Sequence, residues 1–218
     1  MPKNLNIINC GKNWIKFAAN NIKKNLPKKT ENTYIILAGG RYAKQIYSNK
    51  VFKKMIYNKQ VILADERLTN VTKSKNKTLI KRELNAKSII EPSELNNKNK
   101  YNVAFCLLSL GEDGHFASIF PNDKTTIFSK KKYFEFTKKK HKFFKRMTIS
   151  LSFLLKIKKI YILVNGEKKS LKLNQIIQHN YNHKTFSKNL IIKFPLLKIL
   201  SKSIFLLDYK AFNKIIKI

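Results

Sequence analysis

Short apolar runs alternate with stretches of helical periodicity along the chain, and this alternation predicts an α/β fold. The runs Thr33 to Ala38, Gln60 to Ala64, Asn102 to Leu110 and Ile160 to Val164 are apolar enough to read as buried strands. Several end on glycine or charged turns, where open α/β sheets present their ligands. Neither an internal repeat nor a Gly-, Pro- or Ser-rich linker interrupts the 218 residues, and 43% of them are hydrophobic. That length suits one well-buried core and is short for two. The expected architecture is a single Rossmann-like domain over residues 1–218, three αβα layers built on a mostly parallel sheet.

Asn4 to Cys10 carries a short strand pattern, and Gly11 to Leu26 reads as an amphipathic helix that Pro27 ends. Trp14, Phe17, Ala18 and Ile22 form its expected buried face. Thr33 to Ala38 is the next strand, closed by Gly39-Gly40, and a helix follows from about Tyr42 to Ser48. Gln60 to Ala64 is a strand that runs into Asp65-Glu66-Arg67. A polar loop leads to a helix around Lys77 to Asn85 and then to the strand Asn102 to Leu110. Met147 to Leu151 and Ile160 to Val164 are further strands, Lys168 to His179 a helix, and Ser203 to Leu207 the last strand. The stretch Ser129 to Lys145 interleaves lysines with aromatic residues. An edge strand with a lysine-rich loop accounts for it; a surface for single-stranded nucleic acid is the alternative.

A net charge of +34 invites a nucleic-acid function. Only Arg41, Arg67, Arg82 and Arg146 are arginines, however, so 42 of the 46 basic residues are lysine. Nucleic-acid surfaces recruit arginine for bidentate and stacking contacts. Lysine, asparagine and isoleucine are inflated together throughout the chain, and their codons are rich in A and T. Compositional drift explains all three excesses at once, so no specific nucleic-acid partner is expected. Apolar runs of at most about eight residues fall far short of the roughly 20 that span a membrane. The N-terminal residues show no signal-peptide pattern. Cys10 and Cys106 are the only cysteines, which leaves no disulfide framework and suits a cytoplasmic protein.

Scarcity makes the acidic residues informative. Four of the 12, namely Asp65, Glu66, Glu112 and Asp113, fall in two short clusters. Gly39-Gly40, Asp65-Glu66-Arg67 and Asp113-Gly114-His115 each follow an apolar run, so a parallel sheet brings all of them to one edge. Glycines there let backbone amides approach an anion closely. Asp113, two residues from His115, can fix the tautomer and orientation of the imidazole. Each group taken singly has a plainer explanation: a tight turn, a solvated strand end, a structural histidine. The acidic residues and histidines lack metal-ligand spacing, and no cofactor is expected.

The run Gly111-Glu112-Asp113-Gly114-His115-Phe116-Ala117-Ser118-Ile119-Phe120-Pro121 closely resembles the signature of the 6-phosphogluconolactonase family. That family shares a superfamily with glucosamine-6-phosphate isomerases and deaminases. Ser109 stands where the signature begins with glycine, and Phe116 where it has threonine. Asp65-Glu66-Arg67 is similar to the family's Asp-Glu-Arg. Ala38-Gly39-Gly40-Arg41-Tyr42-Ala43 keeps the glycines of a Ser-Gly-Gly-Ser-Thr-Pro-like turn without its small hydroxyl residues. Lys75-Asn76 stands for a Ser-Asn pair, and Arg146-Met147-Thr148-Ile149-Ser150-Leu151 resembles Arg-Ile-Thr-Leu-Thr-Leu. Tyr161 to Lys168 and Phe205 to Asp208 match later landmarks, so the family's order is kept from about residue 34 to residue 208. Deaminases resemble Asp-Glu-Tyr at the second strand end and follow Gly-His with Ile-Ala-Phe-Asn-Glu-Pro. Arg67 and Ala117-Ser118-Ile119-Phe120-Pro121 therefore favour the lactonases.

The resemblance implies hydrolysis of 6-phospho-D-glucono-1,5-lactone in the oxidative pentose phosphate pathway, with this small sugar phosphate as partner and no membrane. His115 is then the expected general base, and Asp113 the residue that orients it, a role Asp65 could fill instead. Arg67 and Arg146 are expected to hold the phosphate, with the Gly39 and Gly40 amides as further donors and Asp65 among the substrate-binding residues. The family also uses a lysine shortly before the Arg146 position; of Lys140, Lys142 and Lys145, Lys142 is the candidate. The competing readings are an isomerase or deaminase of amino-sugar phosphates, a basic nucleic-acid-binding protein, and a lactonase fold that has lost activity.

Overall fold

The computed structural model describes residues 5–26, 33–97, 99–138, 144–182 and 185–215. Lys140 and Lys142 lie outside the described residues. The strands are β1 (Asn6–Asn9), β2 (Tyr34–Leu37), β3 (Gln60–Leu63), β4 (Asp65–Arg67), β5 (Ser88–Ile90), β6 (Val103–Ser109), β7 (Phe134–Phe136), β8 (Arg146–Ile149), β9 (Ile160–Val164) and β10 (Ser203–Leu207). The helices are α1 (Trp14–Lys24), α2 (Arg41–Tyr47), α3 (Lys50–Ile56), α4 (Asn76–Glu83), α5 (Lys124–Ile127), α6 (Leu151–Leu154), α7 (Glu167–Asn182), α8 (Lys188–Lys193) and α9 (Tyr209–Phe212).

A seven-stranded sheet in the order β1-β10-β9-β6-β2-β3-β5 has every neighbouring pair parallel. The apolar runs explain this, because a strand buried on both faces needs no polar alternation. Alternate residues serve opposite faces. Ile35, Leu37, Val61, Leu63, Phe105 and Leu107 pack with Ala18 and Ile22 of α1, Ile46 of α2, Phe52 of α3 and Ile80 of α4. Ile36, Ile62, Cys106, Leu108, Ile162 and Val164 pack with Leu154 of α6 and Leu173, Ile176 and Ile177 of α7. Each fully buried Ile, Leu or Phe contributes about 1.5–3 kcal/mol, and this layered core is what holds the strand ends in place. The three-layer αβα expectation is met.

The chain runs outward from β2 to β3 and β5, then returns to the far side of β2 as β6 and continues through β9 and β10. The direction of travel therefore reverses between β2 and β6. The crevice beyond their carboxyl ends is where sheets of this kind receive ligands.

Several expectations need correction. Phe17 is 59% exposed, because Ala18, Ala19 and Ile22 set the buried stripe of α1 and Phe17 lies far round the helix from it. Asp65-Glu66-Arg67, read as the end of the Gln60 strand, forms a short strand of its own, β4, with Asp65 and Glu66 buried. It pairs antiparallel with β8 in a separate sheet of order β4-β8-β7. The strand expected over Met147 to Leu151 thus belongs to this small sheet and stops early. Ser150 caps the next helix there, its Oγ accepting from the Phe153 N–H at 3.1 Å. Within Ser129 to Lys145 the edge strand is present as β7. Among the described residues no helix is long and apolar enough to cross a membrane.

Candidate active site

The ends of four strands converge on a cleft of about 570 Å³. β2 delivers Gly39 and Gly40, β3 leads directly into Asp65 and Arg67 of β4, β6 leads to Gly111 through His115, and β9 leads to Lys169 in the first turn of α7. Arg146, the first residue of β8, completes the wall beside β4. The topology thus brings together every described residue expected at the site. Lys145 is exposed and is not among the groups that line the cleft.

After β6 the backbone closes a tight turn. The Gly114 N–H donates to the Gly111 carbonyl at 3.1 Å, and the Gly111 N–H donates to the His115 carbonyl at 2.7 Å. Gly114 sits at φ +96°, a conformation suited to glycine. This turn folds His115 back over Gly111 so closely that a Cβ on Gly111 would lie 2.2 Å from the imidazole Nδ1. The ring rests against Phe120, with centroids 4.6 Å apart. Nδ1 is 2.5 Å from Asp113 Oδ1, which also accepts from the His115 N–H at 3.1 Å. A carboxylate partner assigns the proton to Nδ1 and leaves the Nε2 lone pair free. Partial burial pushes the Asp113 carboxyl up, but the hydrogen bonds it accepts from the His115 side chain and backbone outweigh that and bring it down to about 2. The stability this contributes is present above about pH 4 and fades as the pH falls through about 2.

Asp113 is the carboxylate in contact with the imidazole, and Asp65 is bonded elsewhere. Asp65 Oδ2 accepts from Ser118 Oγ at 2.6 Å, and its Oδ1 accepts from Asn76 Nδ2 at 3.2 Å. Strand alternation turns Asp65 and Arg67 toward the cleft and Glu66 away from it. Buried Glu66 accepts from the backbone N–H groups of Arg67, Asn76 and Lys77 at 2.8, 2.8 and 2.7 Å. Burial pushes the Glu66 carboxyl up, and those three N–H groups oppose the rise. The start of α4 is thereby tied to β4.

Asn76 then becomes a hub that the sequence displayed only as half of Lys75-Asn76. Its Nδ2 donates to the Asp65 carbonyl at 2.9 Å, and its Oδ1 accepts from Arg67 Nη1 at 3.2 Å. Arg67 Nη1 also donates to the Ser74 carbonyl, so Arg67 is held by neutral acceptors. Gly39 is required by the same hub, since a Cβ there would lie 1.9 Å from Asn76 Oδ1. The Gly39 and Gly40 N–H groups have no partner among the described residues.

Three further cations line this space: Arg41, Arg146 and Lys169. Arg146 is 8% exposed, its Nη1 lies 3.7 Å from Asp65 Oδ2, and its Nε has no partner among the described residues. Its guanidinium stands 5.8 Å from the centroid of Phe120, the ring that also carries His115. Burial pulls the Arg146 guanidinium down while Asp65 holds it up. Lys169 escaped the sequence reading. Its Nζ donates to Ser109 Oγ at 3.0 Å and lies 4.5 Å from the Tyr42 ring centroid. Burial pulls this ammonium down to about 8, with Glu112 opposing and Arg41 adding to the fall. The signal was there: Lys169 follows the Gly166 turn after β9, the strand-end position already used for the other groups.

The fold is similar to solved 6-phosphogluconolactonases. One from Shewanella baltica aligns with a TM-score of 0.76 at 17% identity, covering 95% of this chain and 99% of that one. One from Plasmodium vivax gives 0.71 at 19% identity over 93% and 89%. One from Trypanosoma brucei gives 0.71 at 16% identity over 98% and 99%. Identities this low carry the fold and not the reaction. No curated protein sequence matches the chain. The model of the family described as glucosamine-6-phosphate isomerases/6-phosphogluconolactonase, however, matches residues 11–188. On that match, the chain belongs to the glucosamine-6-phosphate isomerase/6-phosphogluconolactonase family.

Proposed function

We propose that the protein hydrolyses 6-phospho-D-glucono-1,5-lactone to 6-phospho-D-gluconate, a step of the oxidative pentose phosphate pathway. The observation that carries this reading is the Asp113–His115 pair, its Nε2 free, on the wall of a cleft lined by Arg41, Arg67, Arg146 and Lys169. A water attacks C1 of the lactone while His115 Nε2 takes its proton. The carbonyl oxygen becomes an oxyanion, and Arg146, on the same Phe120 ring as the imidazole, meets that charge. Collapse breaks the bond from C1 to the ring oxygen, which takes the proton back from the imidazolium. One water is consumed, and the product acid releases a proton to solvent. Asp65 and Arg67 hold substrate along the β4 wall, and the Gly39 and Gly40 amides with Lys169 receive the phosphate.

Two assays run side by side test the reaction class. Purified protein is expected to speed disappearance of the phosphorylated lactone well beyond its spontaneous rate and to release no ammonia from glucosamine 6-phosphate. Ammonia release without lactone hydrolysis overturns the proposal in favour of a deaminase.

The lowered lysine adds a pH signature. Lys169 is cationic below about pH 8, so kcat/KM for the phosphorylated lactone, corrected for spontaneous hydrolysis, is expected to fall as the pH rises through that value. Lys169→Met should lower kcat/KM at pH 7 by about tenfold or more and abolish this limb. A limb that survives in Lys169→Met would assign the titration to another group.

A further inference from the structure

We infer that Arg41 makes the cleft select a phosphorylated lactone over the bare sugar lactone, an inference that rests on the lactonase reading above. Arg41 follows Gly39-Gly40 directly and lines the cleft, yet its side chain has neither a hydrogen bond nor an ion pair among the described residues. Arg41 presses on the half-buried ammonium of Lys169, while Glu112 and Asp208 act on that ammonium in the opposite sense. Among the described residues Lys169 bonds only to a neutral hydroxyl, Ser109 Oγ, and faces the ring of Tyr42. Two like charges, neither paired with a carboxylate, thus share one region with the unpartnered N–H groups of Gly39 and Gly40.

The other two cations of the cleft are placed differently. Arg67 is bonded to the Ser74 carbonyl and to Asn76. Arg146 lies beside Asp65 and on the Phe120 ring that carries His115. The cations therefore divide into Arg67 and Arg146, carried by β4 and β8, and Arg41 and Lys169, carried by the first turns of α2 and α7. A dianion between the second pair relieves their repulsion, and the planar fork of arginine suits two phosphate oxygens at once. A neutral lactone offers no such relief. The glycine turn that lacks small hydroxyl residues is thereby equipped with a charged donor instead.

The test compares 6-phosphoglucono-1,5-lactone with glucono-1,5-lactone in the wild type, Arg41→Ala and Arg41→Lys. The ratio of the two kcat/KM values is expected to fall about tenfold or more in Arg41→Ala, through KM for the phosphorylated substrate, and to recover partly in Arg41→Lys. In parallel, calorimetry measures binding of 6-phosphogluconate and of gluconate at fixed salt. The preference for 6-phosphogluconate should shrink by a similar factor in Arg41→Ala. A selectivity ratio and binding preference within twofold of wild type overturn the inference, as does a wild type that binds both acids equally. If the wild type hydrolyses neither lactone, the lactonase reading falls, and the binding preference still decides for or against Arg41.

Discussion

Replacing His115 with alanine is expected to lower kcat for the phosphorylated lactone by about 10²–10⁴-fold, with KM little changed. The imidazole is the group with a free ring nitrogen on the cleft wall, and its other nitrogen is committed to Asp113. Alanine removes the acceptor for the water proton and the donor for the departing ring oxygen together. The fold should survive, because the imidazole lies at the cleft surface and the buried core on both sheet faces is untouched. Steady-state rates corrected for spontaneous hydrolysis, with a melting curve as control, check this. A variant that retains near-normal kcat removes His115 from the mechanism.

The second large effect is expected at a residue with no functional group. Gly111→Ala places a methyl 2.2 Å from His115 Nδ1, 2.3 Å from Cε1 and 2.7 Å from Asp113 Oδ1. Ordinary contacts begin at 3.4 Å, so the methyl and the dyad cannot share that space. The imidazole must leave Phe120 or the carboxylate must leave the imidazole. Displacement of a reacting group by about 1 Å costs on the order of 10²-fold, so kcat should fall by about that factor. Gly111 has no positive φ to forbid alanine, and the melting temperature should change far less than the rate. Wild-type kcat in Gly111→Ala would mean that the close packing of His115 on Gly111 does not matter for turnover.

The strands that reached the cleft were legible because they are apolar on both faces. Ile160 to Val164 and Ser203 to Leu207 fall where the pattern places them. Helices were harder to read where charge covered the pattern. α3 is Lys50–Ile56, a lysine-rich segment whose buried contacts are Phe52 and Ile56, and it went unread. Strand β4 was hidden for a different reason. Asp-Glu-Arg has no strand propensity of its own and is held as a strand by pairing with β8, far along the chain. Among site residues, the dyad was readable because its two members are neighbours in sequence. The choice of Asp113 over Asp65 depended on Ser118 and Asn76, which occupy Asp65 from distant positions. Asn76 and Lys169 draw their meaning from contacts to Gly39 and Ser109, which only the folded chain makes.

On the proposed reaction the cleft divides into a hydrolytic end at Asp113–His115 and a phosphate end at Arg41–Lys169. A crystal structure with 6-phosphogluconate bound measures this directly. The C1 carboxylate is expected within hydrogen-bond reach of His115 Nε2, with the phosphate oxygens on Lys169, Arg41 and the Gly39-Gly40 amides. A phosphate seated against His115, with the carboxylate turned toward Lys169, would contradict it.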